Sequence, residues 1–144
     1  MTARTFAPGF RCSLLDVVVL IAGAVTTVAT IPIDGRIAFV IGFTVAHFFL
    51  FCNVFRISRP LELVWATVFV ALCYASFARG QPPWNATAGL SFVVTTIVIT
   101  LAMRRPSYHG IGWQTINPRL PEWWEAQNFL REGEAPAEPR STTR

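Results

Sequence analysis

The sequence predicts an all-α membrane protein, a four-transmembrane-helix up-down bundle followed by a C-terminal amphipathic interfacial segment. Three observations predict it. Of the 144 residues, 53% are hydrophobic and only 14% are charged, where a soluble domain carries about 25% charged residues. The apolar residues fall into four runs, each long enough to cross a bilayer once. The arginines punctuate those runs unevenly, in the manner that orients a chain in a membrane.

The predicted spans cover about 14–33, 37–55, 61–78 and 86–103. At a rise of about 1.5 Å per residue each would be roughly 27–30 Å long, close to the ~30 Å hydrocarbon core. The first opens on Ser13-Leu14-Leu15-Asp16, which has capping-box spacing with aspartate in place of the usual glutamate. Arg4 and Arg11 ahead of an apolar run also suit a secretory signal peptide. Asp16 interrupts that run and the run is long for a signal, so a retained helix is predicted.

Pro32, Asp34 and Gly35 separate spans one and two, and Ser58 and Pro60 separate two and three. Gly80, Pro82, Pro83 and Asn85 come before span four. Links this short make sequential helices antiparallel neighbours. Pro60 suits the first turn of span three, where Glu62 complements the positive end of the helix.

Arg4, Arg11, Arg56, Arg59, Arg104, Arg105 and Arg119 fall on one side of this topology, and only Arg36 and Arg79 on the other. The positive-inside rule therefore puts both termini in the cytoplasm, with residues 1–13 a cytoplasmic N-terminal segment and 14–103 the transmembrane domain. All twelve basic residues are arginine, a bias typical of a GC-rich genome. The predicted location is a bacterial inner (cytoplasmic) membrane, with the lipid bilayer as the main partner.

Topology accounts for the net charge of +4 better than a nucleic-acid surface does, so no nucleic-acid partner is predicted. Cys12, Cys52 and Cys73 are odd in number and lack metal-type spacing, which argues against a disulfide framework or a metal site.

Residues 104–132 form a Trp-rich membrane-interface segment on this reading, with Trp113, Trp123 and Trp124 at headgroup level. A short helix from Pro121 would place Trp123, Ala126 and Leu130 on one face. Residues 133–144 are rich in Pro, Ala and Glu and are predicted to be a disordered tail.

The stretch FTVAHFFLFCNVFRI in span two is the most distinctive. Phe39, Phe43, His47, Phe51 and Phe55 recur every four residues and make an aromatic ridge, beside a small-residue strip of Ala38, Gly42 and Ala46 that invites close helix approach. Ionisable groups at this depth are usually functional, which makes His47 a candidate cofactor ligand, for haem or a quinone. Haem needs a second ligand at matching depth, and neither His109 nor Met103 reaches it, so only two paired copies of His47 would serve. The competing reading has His47 neutral and hydrogen-bonded to a hydroxyl of Thr26, Thr27, Ser91, Thr95 or Thr96. Asn53 would satisfy backbone groups as the helix ends near Arg56, and Cys52 would be a small buried apolar residue. Asp16, His47, Asn53, Arg56 and Glu62 are thus the candidate polar helix-contact or coupling residues. No cofactor is expected on the leading reading, with haem as the alternative.

The sequence contains no nucleophile elbow, zinc-protease motif, P-loop or dinucleotide fingerprint. The functional expectation is a non-enzymatic accessory or scaffolding subunit of a larger membrane complex, partnered by other membrane subunits or by copies of itself. A small oligomeric transporter or channel is the first alternative. A haem- or quinone-binding electron-transfer subunit using His47 is the second.

Overall fold

The computed structural model describes residues 7–134, with side chains up to residue 129. Helix α1 (Leu14–Thr30) begins at the predicted capping box. Ser13 Oγ accepts from the Asp16 N–H at 3.3 Å, while Asp16 Oδ2 accepts from both the backbone N–H and the hydroxyl of Ser13 at 2.7 Å. Two otherwise orphaned donors at the helix start are thereby satisfied.

Helix α1 stops after 17 residues rather than running to 33. Pro32 has no N–H to continue the ladder, and the chain turns through Ile31–Ile33. At about 26 Å the helix falls short of the ~30 Å core. Four matched spans are therefore corrected to three long apolar helices and one shorter one.

Helix α2 (Gly35–Phe49) is capped by Asp34, whose carboxylate accepts from the Arg36 N–H at 2.8 Å. At Leu50–Val54 it continues as a π-helical turn, the Phe55 N–H donating to Leu50 O at 2.9 Å. Arg56 then adopts a left-handed conformation (φ 49°) and the Ile57 N–H reaches back to Phe51 O at 2.8 Å. This resembles a Schellman ending lengthened by the residue that the π turn inserts.

Helix α3 (Arg59–Arg79) ends on Gly80 at φ 66°, the left-handed position that glycine occupies without a Cβ clash. Helix α4 (Trp84–Met103) follows, then the short α5 (Trp113–Ile116) and α6 (Leu120–Glu134). The predicted tail lies outside the described residues apart from Gly133 and Glu134, which close α6.

Helix α2 with its π turn (Gly35–Val54), α3 and α4 are each 20 or 21 residues long and apolar enough to cross a membrane. Only 22–28% of each spanning window is buried within the chain, so most of its surface faces outward. Large apolar side chains such as Leu15, Val25, Val28, Val70 and Phe92 are exposed. A surface of this kind suits a lipid environment and points to a membrane location.

Two seams hold the helices together. Helix α1 lies on α2 where both carry glycine: a Cβ built on Gly23 would come within 2.7 Å of Val45, and one on Gly42 within 3.0 Å of Thr27. Of the predicted small-residue strip, Gly42 is at the α1 contact, while Ala46 is exposed. Helix α4 turns Thr87, Ser91, Thr95, Val98 and Ala102 inward, at spacings of three and four, against Trp65, Phe69, Cys73 and Ser76 of α3. Trp65 Nε1–H donates to Thr95 Oγ1 at 2.8 Å, and Ser76 and Thr87 share a hydroxyl bond of 2.7 Å. The core lies between α2, α3 and α4; α1 contributes no buried residue to it.

Candidate functional site at the arginine-rich end

Three separate segments meet where α1 begins and α4 ends. The Gly9 N–H donates to His109 O (2.7 Å), the Arg11 N–H to Asn53 O (3.2 Å) and the Ile111 N–H to Val54 O (2.9 Å). The segment before α1 and the one after α4 are therefore both fastened to the π turn and its exit. Gly110 fits because it lacks a side chain: a Cβ there would strike Phe55 O. Tyr108 and Leu120 are buried in the same layer, and the Tyr108 hydroxyl donates to Ile111 O at 2.8 Å. Burial pushes the Tyr108 phenol up.

Four of the five polar residues singled out from the sequence gather here. The carboxamide of buried Asn53, turned so that its nitrogen meets acceptors, donates to Arg11 O (2.8 Å) and Asp16 Oδ2 (3.1 Å). It therefore ties the start of α1 to the π turn, a longer-range role than the expected local helix ending. Glu62 accepts from the Cys52 thiol at 3.7 Å and pairs with Arg59 at 3.4 Å. Cys52 is accordingly a thiol donor rather than a purely apolar filler. Ser58, the N-cap residue of α3, makes no side-chain cap; its hydroxyl accepts from Arg105 at 3.0 Å.

Arg56 donates to the carbonyl of Ala7. Desolvation and the neighbouring Arg11 charge both hold its pKa below the usual arginine value. Arg11 and Arg56 line a cavity of about 370 Å³ together with Ala7, Pro8, Phe10, His109 and Trp124. Arg56 and His109 also line a neighbouring cavity of about 390 Å³ that reaches Arg59 and Arg105. Among the described residues the salt bridges are Asp34–Arg36 and Glu62–Arg59, and neither involves Arg11 or Arg56.

His47 stands apart, inside the aromatic row. Its ring is stacked on Trp65 (4.5 Å between centroids, 13° between planes) and lies 4.1 Å from Phe43, with Phe51 and Phe92 beside it. Nδ1 is 2.8 Å from Phe43 O. A carbonyl only accepts, so Nδ1 carries a proton, and in the neutral imidazole Nε2 then presents a lone pair. Nε2 is enclosed and has no hydrogen-bond partner among the described residues.

The hydroxyls offered by the sequence as partners of His47 are engaged elsewhere. Those of Thr26, Thr27, Ser91, Thr95 and Thr96 each bond to the carbonyl four residues earlier. The expected interhelical hydrogen bond of His47 is therefore corrected to ring stacking plus a bond within its own helix.

Trp113, Trp123 and Trp124 are half-buried. Helix α6 turns Leu120, Trp124 and Asn128 inward, while Ala126, which was expected beside Trp123 on the apolar face, is exposed. Sequence reasoning missed Phe10, Tyr108 and Gly110, weighed His109 only as a second haem ligand, and treated Arg11 only as a marker of topology. The available signal was an aromatic–basic pair, Phe10-Arg11, immediately before a capping box.

No known protein family matches the chain, and no curated protein or solved structure matches it either.

Proposed function

We propose that the chain is a non-enzymatic accessory or scaffolding subunit of a larger assembly in a bacterial inner membrane. In this reading it spans the membrane four times, with both termini in the cytoplasm and the shorter α1 as the first span. The observation that carries the proposal is the use made of its polar groups. The helix hydroxyls described above bond within their own helices or across the α3–α4 seam, and Asp16 and Glu62 are occupied by caps and ion pairs. That arrangement supports a structural role over a polar path through the bundle.

The deciding experiment is purification of the tagged chain from its native membrane in mild detergent, with identification of co-purifying proteins. A stoichiometric membrane partner is expected, and a stable monomer with none would overturn the reading. Nε2 of His47, without a hydrogen-bond partner among the described residues, favours a second reading, an electron-transfer subunit in which two copies of His47 hold haem. The visible spectrum of the same sample tests it: a Soret band lost in His47→Ala would support it, and a colourless sample from haem-replete cells would remove it.

A further inference from the structure

The cavity lined by Phe10 and Trp124 is also lined by Arg11 and Arg56, whose charges act on each other, and no carboxylate is among its described lining residues. Arg11 reaches it from the segment before α1, held by the backbone bond to Asn53 O, and Arg56 from the left-handed exit of the π turn. The Asp16 carboxylate, which feels the Arg11 charge, already accepts three hydrogen bonds, two from Ser13 and one from Asn53. One of the five N–H donors of Arg56 is used on Ala7 O. At about 370 Å³ the cavity falls within the range of small-molecule sites, about 300–1,000 Å³. It is also positioned at the end of three apolar helices, the depth at which lipid headgroups lie.

Two neighbouring guanidiniums are suited to a phosphate, because their planar forks match its oxygens and their charge is only weakly hydrated. The rest of the wall is chosen differently. Trp124 offers amphipathic aromatic surface of the kind that settles at the glycerol level of a bilayer, and Phe10 adds a purely apolar ring beside it. A bare inorganic ion would make no use of that surface, whereas a phospholipid would place its glycerol and first methylenes against it.

We propose that this cavity binds the phosphate group of an anionic phospholipid, with Arg11 and Arg56 as its ligands. The bound lipid joins the segment before α1 to the π-turn exit, so it also braces the layer that fastens the two ends of the chain.

The test uses the full chain in detergent, with native mass spectrometry to count bound phosphatidylglycerol against phosphatidylcholine. Arg11→Gln is the principal variant, since the Arg11 side chain is exposed and its observed backbone bonds are kept. Arg56→Gln is the second, and Arg36→Gln at the opposite end is the charge-matched control. Circular-dichroism melting certifies the fold of each.

Phosphatidylglycerol should bind in preference to phosphatidylcholine. Each of Arg11→Gln and Arg56→Gln should weaken it about five-fold, the effect of about 1 kcal/mol per basic residue near a headgroup, and Arg36→Gln should leave it unchanged. Equal binding of the two lipids, or an equal loss in Arg36→Gln, would overturn the proposal. Displacement of the lipid by millimolar inorganic phosphate or glycerol phosphate would overturn the lipid assignment and give the site to a soluble phosphate.

Discussion

His47 shows how an ionisable residue is accommodated in an apolar helix without an ion pair. Its ring fills the space between Phe43 and Trp65, and one nitrogen is satisfied by the carbonyl one turn earlier. The other nitrogen carries the cost of burial without a partner among the described residues. Phenylalanine would keep the stack and remove that cost, so His47→Phe should unfold within about 1 kcal/mol of the native protein. His47→Ala opens a cavity among rigid rings and should cost about 2–4 kcal/mol. Detergent-phase thermal melts compare the two, and a large loss in His47→Phe would mean that Nε2 has a partner in the native assembly. Asp34 provides a pH-dependent counterpart outside the helices. Hydrogen bonds from the backbone and then the side chain of Arg36 hold its carboxyl below the usual range. Its contribution is therefore fully present above the unfolded pKa of about 3.9 and is lost as pH falls through the lower folded value. Melting temperatures followed downward from pH 6 should show this loss in the native protein and not in Asp34→Asn.

Helix contacts depend on where a side chain is missing. A Cβ on Gly23 meets Val45, whose branched side chain has little rotamer freedom, whereas Gly89 in α4 has nothing within 4 Å. Gly23→Ala should therefore destabilise by about 1–3 kcal/mol through overpacking, while Gly89→Ala should be neutral or stabilise by up to about 1 kcal/mol. Parallel melts of the two variants check the sign as well as the size. Gly110 makes a harder contact, because a Cβ would strike the Phe55 carbonyl, which is backbone and cannot rotate aside. Gly110→Ala should release the loop after α4, seen as faster amide exchange at Ile111, whose N–H now bonds to Val54 O. The helices themselves were legible because apolar runs, the Ser13–Asp16 box and the breakers at Pro60 and Gly80 act locally. The early stop of α1 was less so, since Ile31-Pro32-Ile33 is as apolar as the helix before it and only the missing N–H of Pro32 ends the ladder. The π turn had no signature at all: Leu50–Val54 has ordinary helix-compatible composition, and the extra residue is accommodated through tertiary bonds from Asn53 and Ile111. The gathering of Asp16, Asn53, Arg56 and Glu62 at one end followed from topology, but the cavity depends on backbone pairings between distant segments that no spacing encodes.

At the scale of the whole molecule the asymmetry of charge is the strongest feature. Arg11, Arg56, Arg59 and Arg105 surround the cavities at one end, while at the other Arg36 is paired with Asp34 and lies 5.9 Å from the ring of Phe77. Translocating the first group would require moving four guanidiniums across a bilayer, of which only Arg59 has a carboxylate partner among the described residues, whereas the second comprises Arg36, already paired with Asp34, and Arg79. That difference is the physical content of the positive-inside rule, and it favours the arginine-rich end remaining in the cytoplasm. The three cysteines provide the measurement. Cys12 is exposed at the arginine-rich end, Cys52 is half-buried and Cys73 is buried. With Cys52 and Cys73 replaced by alanine, a membrane-impermeant maleimide should label Cys12 in inverted membrane vesicles and leave it unlabelled in intact spheroplasts. Labelling in spheroplasts would place that end outside, where the lipid-binding cavity would meet the opposite leaflet; labelling confined to inverted vesicles would put Arg11 and Arg56 against the cytoplasmic leaflet, whose anionic headgroups match their charge.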